Sequence, residues 1–257
     1  MIPRIPLEHL KISRLICGTN PFVGISHHGL RGLKFRIHYR KVERIEEIML
    51  YLAQEHGINA CISSPRDNIA HAIKTVERET GQDFYWICSP SRRITAKGLK
   101  PNIYTQIQWC ADHQVSVCAP HRNYTDKALN RDKRIIEGVE DILASIRDKG
   151  MITGLTCHSA EIVRIVEERK YDVPIVVQPL NPLGYQSNVP PSELIKIIQN
   201  TKLQILVIKP MAAGRITPEI GLSYAFKHIK PSDFVSCGFN NFAAAKYDLS
   251  IVEKLLN

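Results

Sequence analysis

Histidine and carboxylate side chains stand just beyond several short apolar runs of this 257-residue chain. His121 follows the run at 115–119, His158 ends the one at 152–157, and Asp67 comes four residues after the one at 58–63. An imidazole can hold or release a proton near neutral pH and a carboxylate can accept one, so these three are candidate catalytic residues, with His121 orienting a substrate carbonyl or acting as acid. Arg66 and Arg122 stand beside them. A different chemistry is open to the same residue types. His28, His121 and His158 with a nearby carboxylate form a set for a divalent metal, which would lower the pKa of bound water or polarise a carbonyl in a hydrolase, lyase or isomerase. No H-x-H or H-E-x-x-H motif reinforces that set, and each histidine has the plainer alternative of a hydrogen-bonded or solvated side chain.

Two further segments combine small residues with cations. Residues 209–215 read KPMAAGR and residues 238–241 read GFNN. Closely approaching backbone N–H groups there can meet an anion, which makes Lys209, Gly214, Arg215, Gly238, Asn240 and Asn241 candidates for phosphate or cofactor binding. A turn-forming role explains each glycine separately. The stretch from Pro21 to Val42 has no acid but contains Arg31, Lys34, Arg36, Arg40, Lys41 and three histidines, a local field that would attract an anionic ligand.

The elements that must position these residues alternate along the chain. Strands are expected at 15–18, 58–63, 84–88, 115–119, 152–157, 175–178, 203–209 and 234–238. Helical periodicity separates them: 42–55 carries Val42, Ile45, Ile48, Met49 and Leu52 on one face, 135–149 reads the same way, and 159–169 has Ser159 as its expected N-cap. Eight βα units close most simply as one (β/α)₈ TIM barrel spanning 1–257, with a short N-terminal extension, and barrels of this class place their sites where the strands end. A doubly wound sheet would announce a dinucleotide site with G-x-G-x-x-G, which does not occur.

Composition narrows the remaining classes. With 44% apolar and 23% charged residues the chain is globular rather than disordered. No apolar run approaches the roughly 20 residues of a membrane span, and the N-terminus lacks the apolar core of a signal peptide, so a cytoplasmic protein with no membrane partner is expected. The net charge of +9 is spread along the chain without a nucleic-acid-binding signature, so a small-molecule substrate is expected and no nucleic acid. Seven cysteines without a C-x-x-C pair indicate free thiols, and six of them fall in expected strands as small packing residues.

With these segments in order, the chain resembles the aldo-keto reductases. The resemblance rests on residues 15–19 (LICGT), 57–63 (GINACIS), His121, 149–159 (KGMITGLTCHS), 177–183 (VQPLNPL), 207–214 (VIKPMAAG) and 238–241 (GFNN), and it covers nearly the whole chain. It implies the family's (β/α)₈ fold and NADP(H) as cofactor, bound through Gly18, Ser159, Gln178 and the two small-residue loops, with His158-Ser159 in place of the Ser-Asn pair that holds the nicotinamide carboxamide. It also implies that most of the Asp/Tyr/Lys/His tetrad is missing. The Asp position is Ile62, the Tyr position is Asp67, Cys88-Ser89-Pro90-Ser91 stands where the Lys is expected, and only His121 matches. The expectation is therefore a divergent enzyme acting on a small carbonyl or an anionic, phosphorylated substrate without that tetrad. The metal-assisted enzyme and a non-catalytic nucleotide-binding protein are the alternatives.

Overall fold

The computed structural model describes residues 1–24, 31–91 and 102–256. Eight parallel strands close a barrel: β3 (Leu15–Gly18), β4 (Ala60–Ser63), β5 (Tyr85–Cys88), β6 (Val117–Cys118), β9 (Ile152–Thr156), β10 (Ile175–Pro179), β11 (Gln204–Ile208) and β12 (Phe234–Gly238), with β12 pairing back onto β3. The N-terminal extension is a hairpin of β1 (Arg4–Leu7) and β2 (Leu10–Ser13), and a second small hairpin joins β7 (Leu129–Asn130) to β8 (Ile135–Ile136). The helices are α1 (Arg31–His38), α2 (Glu43–His56), α3 (Asp67–Thr80), α4 (Ile103–Asp112), α5 (Arg122–Ala128), α6 (Val139–Arg147), α7 (Glu161–Arg169), α8 (Pro191–Asn200), α9 (Pro218–His228) and α10 (Phe242–Leu256).

Strand alternation divides the core in two. Ile16, Ala60, Ile87, Val117, Ala119, Ile152, Ile175, Val177, Leu206 and Phe234 form one cluster together with Leu7, Leu10 and Ile12 of the N-terminal hairpin. These are the inward positions, and the hairpin side chains close the bottom of the barrel, the end opposite the mouth. The intervening positions face the helices, and all seven cysteines belong to that outer cluster. The thiols are buried packing residues. Burial raises Cys61, Cys88, Cys118, Cys157 and Cys237 well above the ordinary thiol range, which keeps them protonated and unreactive.

Two local expectations are corrected. Ile135 and Ile136, expected to open a helix, pair with Leu129 and Asn130 instead, and the helix starts at Val139. Ser159 is not the N-cap of α7; Ala160 holds that place, and its N–H is satisfied by Asn188 Oδ1 at 2.8 Å.

Candidate functional site at the barrel mouth

Period-two alternation carries the inward face of the strands beyond their ends. From Val117 and Ala119 it reaches His121, and from Ile152 through Thr156 it reaches His158. Because β6 and β9 are neighbours in the barrel, the two histidines rise side by side into the mouth. Backbone bonds fix both ends: His121 N–H donates to Pro90 O at 2.8 Å, Thr156 N–H to Pro120 O at 3.0 Å, and Cys157 N–H to Val177 O at 3.0 Å.

His121 caps α5, its Nδ1 accepting the Asn123 N–H at 3.2 Å. That bond leaves the proton of the neutral ring on Nε2, as a donor. Burial pushes the His121 pKa down to about 4, helped by the charges of Arg122 and Lys209 and opposed by a hydrogen bond with the Asn123 side chain. Near neutral pH the ring is therefore a hydrogen-bond donor and not an imidazolium acid. This corrects the expectation that it could titrate in the ordinary histidine range.

His158 is held from behind by Asp126, which sequence reasoning missed. The Asp126 carboxylate accepts the His158 N–H at 3.1 Å and the Ser159 N–H at 3.4 Å. Its burial raises its own pKa, and those two amides oppose the shift. Asp126 lies five positions after His121, more than one turn along α5, a signal visible only once α5 is known to fold back over β9. Thr125, its neighbour, donates to Thr156 O and ties α5 to that strand.

Lys209 enters the mouth from β11, two strands away from β9. Its Nζ lies 3.4 Å from His158 Nε2. Burial and the nearby Arg122 charge push the Lys209 pKa down to about 8. Lys209 has φ of 58°, and Ala212 and Ala213 follow with φ of 48° and 60°. Left-handed backbone at three non-glycine residues costs on the order of 1–2 kcal/mol each, so surrounding packing must impose it. Part of that packing is α9: a Cβ on Gly221 would stand 2.7 Å from Pro210 O, so only glycine lets the helix close on this loop.

Arg215, expected on an anion, lies 4.0 Å over the Tyr185 ring and donates to Ala212 O at 3.0 Å. It braces the β10 and β11 loops against each other. Asn241 Oδ1 accepts the Ala244 N–H at 2.9 Å and begins α10, while Asn240 is exposed. Gly18 and Gly238 have a packing reason of their own: a Cβ on Gly18 would meet Ser236 Oγ at 2.9 Å, and one on Gly238 would meet Pro21 Cδ at 3.2 Å. Gly214 completes the turn after Ala213 with φ of 86°. A cavity of about 290 Å³ opens beside Asn241, between α10 and the α1–α2 corner, lined by His38, Tyr39, Arg44 and Ile48.

Asp67 is exposed at the first position of α3, where its charge acts on Arg66. Ile62 faces inward, packed against the inner cluster. Ser89 reaches across to Thr156 Oγ1 at 3.2 Å. His28 and its neighbour His27 lie outside the described residues, as do the side chains of Arg31, Lys34 and Arg36. Among the described residues no group of three His, Cys, Asp or Glu side chains could hold a metal ion. The Lys209 ammonium beside His158 Nε2 would repel a cation there.

The fold is aldo-keto-reductase-like. A candidate aldo-keto reductase from Pseudomonas aeruginosa superimposes with a TM-score of 0.69 at 16% identity, covering 99% of this chain and 95% of that one. A glycerol dehydrogenase from Gluconobacter oxydans gives 0.61 at 11% identity over 98% and 94%. Phospho-2-dehydro-3-deoxyheptonate aldolase from Thermotoga maritima gives 0.57 at 11% identity, covering 99% of this chain and 73% of that one. No protein-family profile matches the sequence, and no curated protein does. Identities this low establish a shared barrel and leave the chemistry to the site itself.

The nicotinamide cofactor of the reductases fits these residues at one atom only. Gln178 is fully buried; its Nε2 is engaged by Cys157 Sγ at 2.8 Å and Ser159 O at 3.3 Å, while Oε1 has no partner and would accept from a carboxamide N–H. The reacting end does not fit. Ile62 carries no charge, Asp67 is exposed, and neutral His121 has no readily transferable proton. No hydride step follows from this arrangement. Among the described residues no helix is long and apolar enough to cross a membrane.

Proposed function

We propose that the chain is an enzyme that binds a small carbonyl compound bearing a carboxylate or phosphate at the C-terminal mouth of the barrel. The observation that carries this reading is the gathering of His121, Arg122, His158 and Lys209 at the mouth: burial, and after it the Arg122 charge, lowers the proton affinity of both His121 and Lys209. The nearby carboxylate, Asp126, is turned onto backbone amides. A bound carboxylate or phosphate would stabilise the protonated forms of these groups. His121 Nε2–H supplies a neutral donor for the carbonyl oxygen, and burial strengthens each of these interactions.

The test is calorimetric titration of pyruvate and inorganic phosphate into the wild-type protein and Lys209→Met. Loss of a charge-assisted hydrogen bond worth about 1.5–3 kcal/mol should weaken binding at least tenfold in the variant. Equal affinity in the two proteins, or no binding to either, would overturn the proposal. The unpartnered Gln178 Oε1 favours one further reading, a nucleotide-binding protein without reductase chemistry. Saturable NADPH binding that is weakened by Gln178→Leu and unaffected by Lys209→Met would select it.

A further inference from the structure

The mouth contains a primary amine that the reductase-like fold does not call for. Lys209 directly follows Ile208, the last residue of β11, on a backbone that adopts φ of 58° and is pressed in place by α9 through Gly221. Its nitrogen points across the mouth to His158 Nε2, 3.4 Å away, and remains half-buried rather than sealed. The backbone that presents His158 is fixed, because Asp126 accepts its N–H and that of Ser159. An amine next to a general base, close enough to His121 for its charge to act on that ring and subject to the charge of a second cation at Arg122, is the arrangement needed for a nucleophilic lysine.

We propose that Lys209 is a covalent catalyst whose amine condenses with the carbonyl group of the substrate to form an imine, a step that rests on the anionic-carbonyl reading given above. The uncharged Nζ attacks the carbonyl carbon, the new N–C bond displaces the C=O π pair onto oxygen, and His121 Nε2–H donates a hydrogen bond to that oxygen. His158 Nε2 takes the proton shed by the attacking nitrogen and passes it to the oxygen, giving a carbinolamine. A second proton, drawn from solvent through His158, lets the hydroxyl leave as water while the nitrogen lone pair forms C=N. The product is a protonated imine and one water, with no change of oxidation state. The cationic imine then withdraws electrons from the adjacent carbon, which suits bond cleavage or proton removal there.

The lowered proton affinity of Lys209 supports the same role. At a pKa of about 8, roughly one amine in ten is uncharged at pH 7, against fewer than one in a thousand for an ordinary lysine. Arg122 keeps its positive charge when the Lys209 amine is uncharged, so the substrate anion retains a cation beside it during the attack.

The experiment is reductive trapping. Wild-type protein, Lys209→Arg and His158→Gln are each incubated with pyruvate, glyoxylate or dihydroxyacetone phosphate and sodium cyanoborohydride, and adducts are located by peptide mass mapping. Phosphate binding is measured in parallel. The expected result is one reduced adduct on Lys209 with at least one of the three carbonyls, none at residue 209 in Lys209→Arg although that variant still binds phosphate, and trapping at least tenfold slower in His158→Gln. Adducts scattered over surface lysines with no preference for Lys209, or no adduct with any of the three while phosphate still binds, would overturn the imine and leave the anion site standing. Absence of both adduct and phosphate binding would overturn the two together.

Discussion

Lys209 Nζ lies 3.4 Å from His158 Nε2, although the two residues are 51 positions apart and stand on strands separated by β10. This contact spans the mouth and brings an amine into a cluster that already contains Arg122 and His121. Such a cluster costs stability, because an ammonium there is desolvated and repelled.

The cost has a sign in pH. The folded-state pKa of Lys209, about 8, is below its ordinary 10.5, so the unfolded chain binds this proton more tightly and stability rises between pH 8 and pH 10.5. Lys209→Met should therefore be more stable than wild type at pH 7, by about 1–2 kcal/mol after allowance for the group's partial exposure, and the advantage should shrink by pH 10. Urea titrations of both proteins at the two pH values check this; an unchanged or lower midpoint for the variant at pH 7 would contradict it.

His121 behaves in the same direction at lower pH. Its folded pKa of about 4 lies below the ordinary 6.5, so its contribution to stability is present above pH 6.5 and is lost as the pH falls toward 4. The loss should reach up to about 3 kcal/mol in the wild type, while His121→Gln should show a visibly flatter acid limb. Thermal melts from pH 7 to pH 4 measure the difference.

Asp126 positions His158 without facing the substrate. Removing its carboxylate in Asp126→Ala would leave the His158 and Ser159 amides buried without their acceptor, at about 1–3 kcal/mol. Hydrogen exchange at those two amides should accelerate more than at the β3 and β4 strands on the far side of the barrel. Uniform acceleration would indicate general unfolding rather than release of this loop.

Ordinary reductase activity should be absent. A hydride acceptor develops an alkoxide that needs a proton, and general acid catalysis typically contributes about 10²–10⁴-fold. Ile62 cannot carry a charge, Asp67 is exposed at the start of α3, and His121 is neutral. NADPH oxidation with simple aldehydes at neutral pH should not exceed background, and robust turnover insensitive to His121→Gln would show another proton donor at work.

The barrel was legible because parallel strands buried on both faces leave continuous β-branched runs; seven strands fall within the stretches those runs mark, and β10 runs one residue beyond its own, to Pro179. The β7–β8 hairpin was not, since Ile135 and Ile136 suit a helix stripe as well as a strand. The position of His121 and His158 at strand ends was readable; the protonation of His121 was not, because burial and the charge of a lysine on another strand set it. Lys209 and Arg215 look equivalent in sequence as cations in a small-residue loop. Only packing separates them: Arg215 lies over Tyr185, while Lys209 points into the mouth.

The most direct measurement is the NMR titration of the His121 ring in histidine-labelled protein, assigned with His121→Gln. Without ligand the ring should titrate near pH 4, and saturation with pyruvate or phosphate should raise that value, because a bound anion stabilises the imidazolium. A ring that titrates near 6.5 and does not respond to either anion would contradict a buried, cation-rich mouth built to receive one.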